Sequence, residues 1–153
     1  MKLKLAEAEE IADAVQKAAE KIGKATSVAV VDDGGFLLVV KRPDGARPLT
    51  PNIAIVKAYS AAVMQRPTKM LKNWAEGNPG FFASLSSMAT HPIVATEGGV
   101  TIKRDGEILG GLGVAGGTGD EDQEIADEVL AALGYQLEFQ AWGVPGKRDQ
   151  PTT

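Results

Sequence analysis

Cysteine is absent from the 153 residues, and histidine occurs once, at His91. The first absence excludes disulfides, thiolate metal sites and cysteine nucleophiles. The second rules out a two-histidine zinc centre, and any Ser-His-Asp triad or imidazole-ligated haem would have to use one side chain. Carboxylate-only sites for hard cations need a denser acidic loop than "GDEDQE", so no metal is expected. No run of eighteen apolar residues reads as a membrane span. The N-terminal "MKLKLAEAEE" turns acidic early and has no apolar core, so no secretory signal is expected. Runs of like charge are also missing, and sixteen basic against twenty acidic side chains leave a net charge of -4. That balance argues against nucleic acid as a partner. The expectation is a soluble cytoplasmic protein.

What is present fits one globular domain: 44% of residues are hydrophobic and 24% charged. Leu5, Ala8, Ile11, Ala12, Val15, Ala19 and Ile22 recur at helical spacing, and Gly23 follows as a stop. "SVAVVDDGGFLLVVKR" reads as a hairpin around Asp33-Gly34, and "GGVTIKRDGEILGGLGV" as another around Asp105-Gly106. Thr50 before Pro51 predicts a capped helix through about Arg66. Pro67 interrupts it, and Thr68 opens a short helix through Glu76, which Gly77 ends. "NPGFFASLSSMATHP", 78–92, reads as mostly irregular with a helical turn. A last helix runs from about Asp120 to Leu133, with Gly134 as its cap. The order α-ββ-αα-ββ-α predicts an α+β fold, an antiparallel sheet of four to five strands flanked by helices. Residues 1–134 form the expected domain and 135–153 a tail that is apolar at its start.

Gly111, Gly113 and Gly116 spell G-x-G-x-x-G before the last helix. A dinucleotide fingerprint needs a parallel β-α-β context, and these glycines begin inside a hairpin strand. Asp120, Glu121 and Asp122 occupy the helix start, where an anion would otherwise be welcome, and Thr118 with Glu121 can form a capping box. The alternate glycines instead bare one face of a strand. Either a closely packed helix fills that face, or the backbone floors a ligand groove.

"VVDDGGFLLVVKRPDGA", "KAYSAAV", "EGGVTIKRDGEILGGLGVAGG" and "DEDQEIADEVL" together resemble the GlcG/HbpS family over roughly residues 5 to 134. Members are often labelled haem-binding or haem-degrading, and the C-terminal domain of PduO-type proteins is among them. The resemblance implies an antiparallel sheet flanked by helices and assembly into tetramers or octamers. Pro43, Ser60, Thr101 and Ala115 stand where the family usually has methionine, threonine, proline and serine.

Several residues are candidates for a binding site. Lys57 lies on a helical stripe of small and apolar residues and matches the family's "KA" motif. It is either a snorkelling surface lysine or a binder of an anion or carbonyl. Arg47 could grip a carboxylate bidentately, or simply be a loop arginine. Asp32 ends the first strand and Arg42 the second. Phe81 and Phe82 fit an apolar lid or core anchors. His91 precedes Pro92 in the irregular segment, as a ligand or as an ordinary loop histidine. The functional expectation is a protein binding a small organic acid or haem beside Gly111, Gly113 and Gly116. The alternative is a lyase, isomerase or hydratase using Lys57 and an aspartate as acid–base groups.

Overall fold

The computed structural model describes residues 3–140 and 151–152. Helix α1 (Leu5–Lys21) buries the stripe Ala8, Ile11, Ala12, Val15 and Ala19, and Gly23 turns the chain out of it with φ +69°. Strands β1 (Ser27–Asp32) and β2 (Leu37–Lys41) follow as an antiparallel hairpin. Asp32 holds its turn, Oδ1 accepting the Gly34 N–H at 2.9 Å and the Phe36 N–H at 3.0 Å. Helix α2 spans Thr50–Val63. A single 3₁₀ turn, Thr68–Leu71, leads into α3 (Lys72–Gly77), and α4 spans Pro79–Met88. Strands β3 (Gly99–Arg104) and β4 (Glu107–Ala115) form the second hairpin, where Asp105 and Gly106 both take positive φ as a tight primed turn requires. Helix α5 (Gly119–Ala132) precedes a short pair, β5 (Phe139–Gln140) and β6 (Pro151–Thr152).

The first four strands form one antiparallel sheet in the order β2-β1-β4-β3, so the fold is α+β with the expected element order. Alternation divides its side chains cleanly. Val28, Val30, Val100, Ile102, Leu112 and Val114 meet α1 and α5, while Ala29, Val31 and Ala115 meet α2. Helices therefore cover both faces. Beyond Gly134, Tyr135 and Leu137 pack against the first of these cores, and the Gln136 N–H reaches the Lys103 carbonyl at 2.8 Å. The apolar stretch "YQLEFQAWGV" continues outside the described residues from Ala141 onward.

Three local expectations change. The 78–92 segment is largely helical, because Phe82 and Leu85 of α4 pack inward with Trp74, Leu71 and Ile93. Its small polar residues hid that stripe. Thr50 is not the side-chain cap of α2: its hydroxyl donates back to the Arg47 carbonyl at 2.7 Å and lies 2.8 Å from the Ser27 hydroxyl. The short helix after Pro67 begins as a 3₁₀ turn, and Thr68 does not cap it: its side chain is turned toward the Thr96 carbonyl and the Gly99 N–H.

The bare face at Gly111 and Gly113 is not a groove. A Cβ at Gly113 would strike the Ala54 carbonyl oxygen, and one at Gly111 the Ala58 carbonyl oxygen. Ala54, Ala58 and Ala62 bring the α2 backbone onto the strand, so the close-packed helix is what the glycines accommodate. Lys57, on the same helix, is 4% exposed, and Asp122 of α5 is 2% exposed. The Lys57 ammonium donates to the Val114 carbonyl at 2.8 Å and to Asp122 Oδ2 at 3.2 Å. Asp122 Oδ1 accepts the Gly117 N–H at 2.9 Å. A lysine from one helical layer thus meets an aspartate from the other.

Two outcomes are expected from urea unfolding. Gly113→Ala should lose about 2 kcal/mol or more, since rigid backbone cannot yield to the new methyl, whereas Gly77→Ala, with open space around it, should change little. Lys57→Met should lose about 3–5 kcal/mol by leaving the Asp122 carboxylate buried and unpaired. Lys57→Met/Asp122→Asn should regain most of that, because the amide still accepts from Gly117. A Lys57→Met variant as stable as wild type would show that the pair contributes nothing.

Candidate functional site

The expected site residues fall in three places. Lys57, Gly111 and Gly113 lie in the packed interior just described, where they join α2 to the sheet and to α5. Asp32, Phe82 and His91 gather around Tyr59 at the turn between β1 and β2. Arg47 and Gly116 lie at the opposite end, near the start of β1.

Around Tyr59 the arrangement is aromatic. Gly35, in the turn that Asp32 holds, lies so close to the Tyr59 ring that a Cβ there would come within 2.7 Å of it. Tyr59 is buried with Leu71, Phe82 and Ile93. Its hydroxyl accepts the Thr90 N–H at 3.1 Å, which fixes the segment leading to His91. The His91 ring is exposed and meets Tyr59 edge-on, with centroids 4.9 Å apart and planes at 72°. Trp74 continues the cluster, 5.6 Å from Phe82 and 5.8 Å from Phe81. Phe81 is 48% exposed and Met88 71%, so α4 carries apolar surface beside its buried stripe. Tyr59 organises this end, and one signal could have found it: a large ring in the otherwise small-residue run "KAYSAA".

At the other end, the exposed Arg47 contributes its carbonyl to the start of α2, accepting the Thr50 N–H at 3.1 Å. Gly116 has φ +149°, and a Cβ on it would lie 2.6 Å from the Ala25 carbonyl oxygen. Glycine there lets the Ala25–Thr26 backbone press against the end of β4. Beside this contact lies a cavity of about 570 Å³, bounded by α1, the chain entering β1 and the loop after β2. Gln16, Lys24, Thr26, Arg42 and Asp44 line it; Arg47 does not.

The start of α5 is filled by the chain's own carboxylates. Thr118 and Glu121 form the reciprocal cap, at 2.9 Å and 3.2 Å, and the Thr118 N–H, with Lys24 nearby, holds the Glu121 carboxyl below its usual range. Further along, the Gln123 side chain accepts the Gly98 N–H at 3.0 Å and donates to Asp127, whose carboxyl burial pushes up. No cluster of three or more metal-ligating side chains occurs among the described residues, and none of the described helices is long and apolar enough to cross a membrane.

Comparison with known proteins agrees with this architecture. The chain is 35% identical over 120 residues to Protein GlcG of Escherichia coli K12, covering 75% of this chain and 85% of that protein. A crystal structure of a Streptomyces reticuli HbpS double mutant superimposes with a TM-score of 0.77 at 36% identity, covering 88% of each chain. The crystal structure of a PduOC:heme complex gives a TM-score of 0.80 at 26% identity, covering 90% of this chain and 99% of that one. The family model for "Haem degrading protein HbpS-like" matches residues 3–131, and the chain belongs to the HbpS-like family.

Proposed function

We propose that the chain is a small-ligand-binding protein and that it takes haem at the His91 end of the fold. One observation carries the reading: a structure of the same architecture, at a TM-score of 0.80, is a complex with haem. The donor chemistry of this chain suits such a ligand. Haem offers a flat apolar body and an iron that takes an imidazole. His91 presents an exposed imidazole steadied by the Tyr59 ring. Phe81 and Met88 supply exposed apolar surface, and buried Phe82 and Ile93 keep the base of the site rigid. Bound haem would supply a redox-active iron; the protein's part is to hold it and shield one face. An acid–base enzyme working through Lys57 would first need that ammonium released from Asp122 and the Val114 carbonyl.

The same reading includes a cytoplasmic homo-oligomer, a tetramer or octamer. Phe36, Leu49 and Met88, each more than 60% exposed, give the monomer apolar surface to cover. Light scattering at micromolar concentration should report at least four copies, and a stable monomer would overturn this part.

Haemin titrated into wild type should give a Soret band that shifts on binding. His91→Ala should weaken that binding by about tenfold or more. Tyr59→Phe keeps the ring and should retain binding. A tight, unchanged complex in His91→Ala would move the site elsewhere.

A further inference from the structure

The cavity at the start of β1 is independent of the haem reading. Its lining contains no histidine, methionine or tyrosine, so it is poorly suited to ligating haem iron. What it does contain is a set of hydrogen-bonding groups with opposite charges. Thr26 is fully buried, and its hydroxyl has no hydrogen-bond partner among the described residues. So deeply buried, it closes the cavity wall and presents no group to a ligand. The Gln16 amide nitrogen donates to the Thr26 carbonyl at 2.7 Å, which ties α1 to the chain entering β1 along this wall. Lys24 and Arg42 supply positive charge at the rim, Glu20 and Asp44 negative charge.

The walls are built to keep their shape. Gly23 leaves α1 at φ +69°, with its N–H on the Glu20 carbonyl at 3.0 Å and the Lys24 N–H on the Ala19 carbonyl at 3.0 Å. The Ala25–Thr26 backbone lies against Gly116, and Gly45, at φ +82°, brings the loop after β2 close to Ala25. Lys24 is drawn toward Glu121 at 3.6 Å, which leaves the Arg42 guanidinium as the cation best placed to grip a carboxylate. About 570 Å³ falls within the range of ordinary small-molecule sites.

We infer that this cavity binds a small zwitterion carrying a carboxylate and an ammonium, a free amino acid or a molecule of dipeptide size. Arg42 takes the carboxylate. Asp44 and Glu20 take the ammonium. With Lys24 drawn to Glu121, Arg42 stands opposite Glu20 and Asp44, and a zwitterion gives both signs of charge a partner where a plain acid or a plain amine serves only one. The site stands apart from His91. Thr26 precedes β1 and the Tyr59 cluster meets the turn after it, so they are separated by a six-residue strand, about 20 Å.

Amide NMR spectra and calorimetry on the full chain test this, using L-serine, L-glutamine and glycylglycine as zwitterions and propionate and propylamine as the two halves. At least one zwitterion at millimolar concentration should shift amides in 16–26 and 42–44 and leave those around His91 in place. Propionate and propylamine should bind about tenfold more weakly or worse. Arg42→Gln should weaken the zwitterion by about tenfold while leaving the haemin titration unchanged, which separates this site from the haem reading. The inference is overturned if no zwitterion moves those amides, if propionate binds as well as the zwitterions, or if Arg42→Gln binds as wild type.

Discussion

The ion pair between Lys57 and Asp122 is the constraint around which the layers are arranged. Helices α2 and α5 lie on opposite faces of the sheet, and side chains on opposite faces ordinarily never meet. They meet here because the lysine passes the start of β3 at Gly98. A Cβ at Gly98 would lie 2.8 Å from the Lys57 ammonium nitrogen, 2.7 Å from the Val114 carbonyl oxygen and 3.0 Å from the Asp122 Cβ. The φ of +107° at Gly98 reinforces the requirement for glycine. Removing two ions from water is unfavourable by several kcal/mol each unless further hydrogen bonds complete their shells. The Val114 carbonyl and the Gly117 N–H supply those bonds, so the pair fixes the end of β4, the turn into α5 and the height of α2 together.

The glycine strand follows from the same geometry. For Lys57 to reach past the sheet, α2 must lie close to it, and Ala54, Ala58 and Ala62 with Gly111 and Gly113 are the residue types that permit this. Thr101 strengthens the contact by donating its hydroxyl to the Ala61 carbonyl at 2.9 Å. Ser60 ties the segment before β3 to the helix by accepting the Val94 N–H at 3.0 Å. The G-x-G-x-x-G letters therefore describe a packing requirement at their first two glycines and a backbone contact at the third.

Element order and type were legible because periodicity, turn residues and caps agree in α1, both hairpins and α5. The segment holding α4 was not, because its inward stripe of Phe82 and Leu85 is diluted by Ser84, Ser86 and Ser87. Its packing partners Tyr59, Leu71, Trp74 and Ile93 all lie on other elements. Lys57 was legible as unusual, but its partner was not: Asp122 belongs to an acidic run that reads as a solvated helix start, and no one-dimensional pattern shows that one of its members turns inward. Thr26 carries no signal in the sequence at all, since a threonine opening a strand is ordinary and only burial shows its hydroxyl to be unmatched.

With the centre of the molecule committed to close packing, both proposed sites fall at the ends of β1. At one end the ordering device is a ring, Tyr59, which holds the hairpin turn, the Thr90 backbone and His91. At the other it is the close backbone approach at Gly116, with Gly45 turning the loop after β2 at φ +82°. Both ends are loops and helix termini anchored on strands that cannot shift without disturbing the Lys57–Asp122 pair. Substitutions in these loops would therefore alter the chemistry of the proposed sites at little expense to the core, the usual relation between a rigid scaffold and its loops. The departures from the family pattern can be read in that light. Pro43 lies in the cavity wall, away from the packed centre. Ser60 and Thr101 lie on the α2 contact, where each keeps a hydroxyl in a hydrogen bond to backbone.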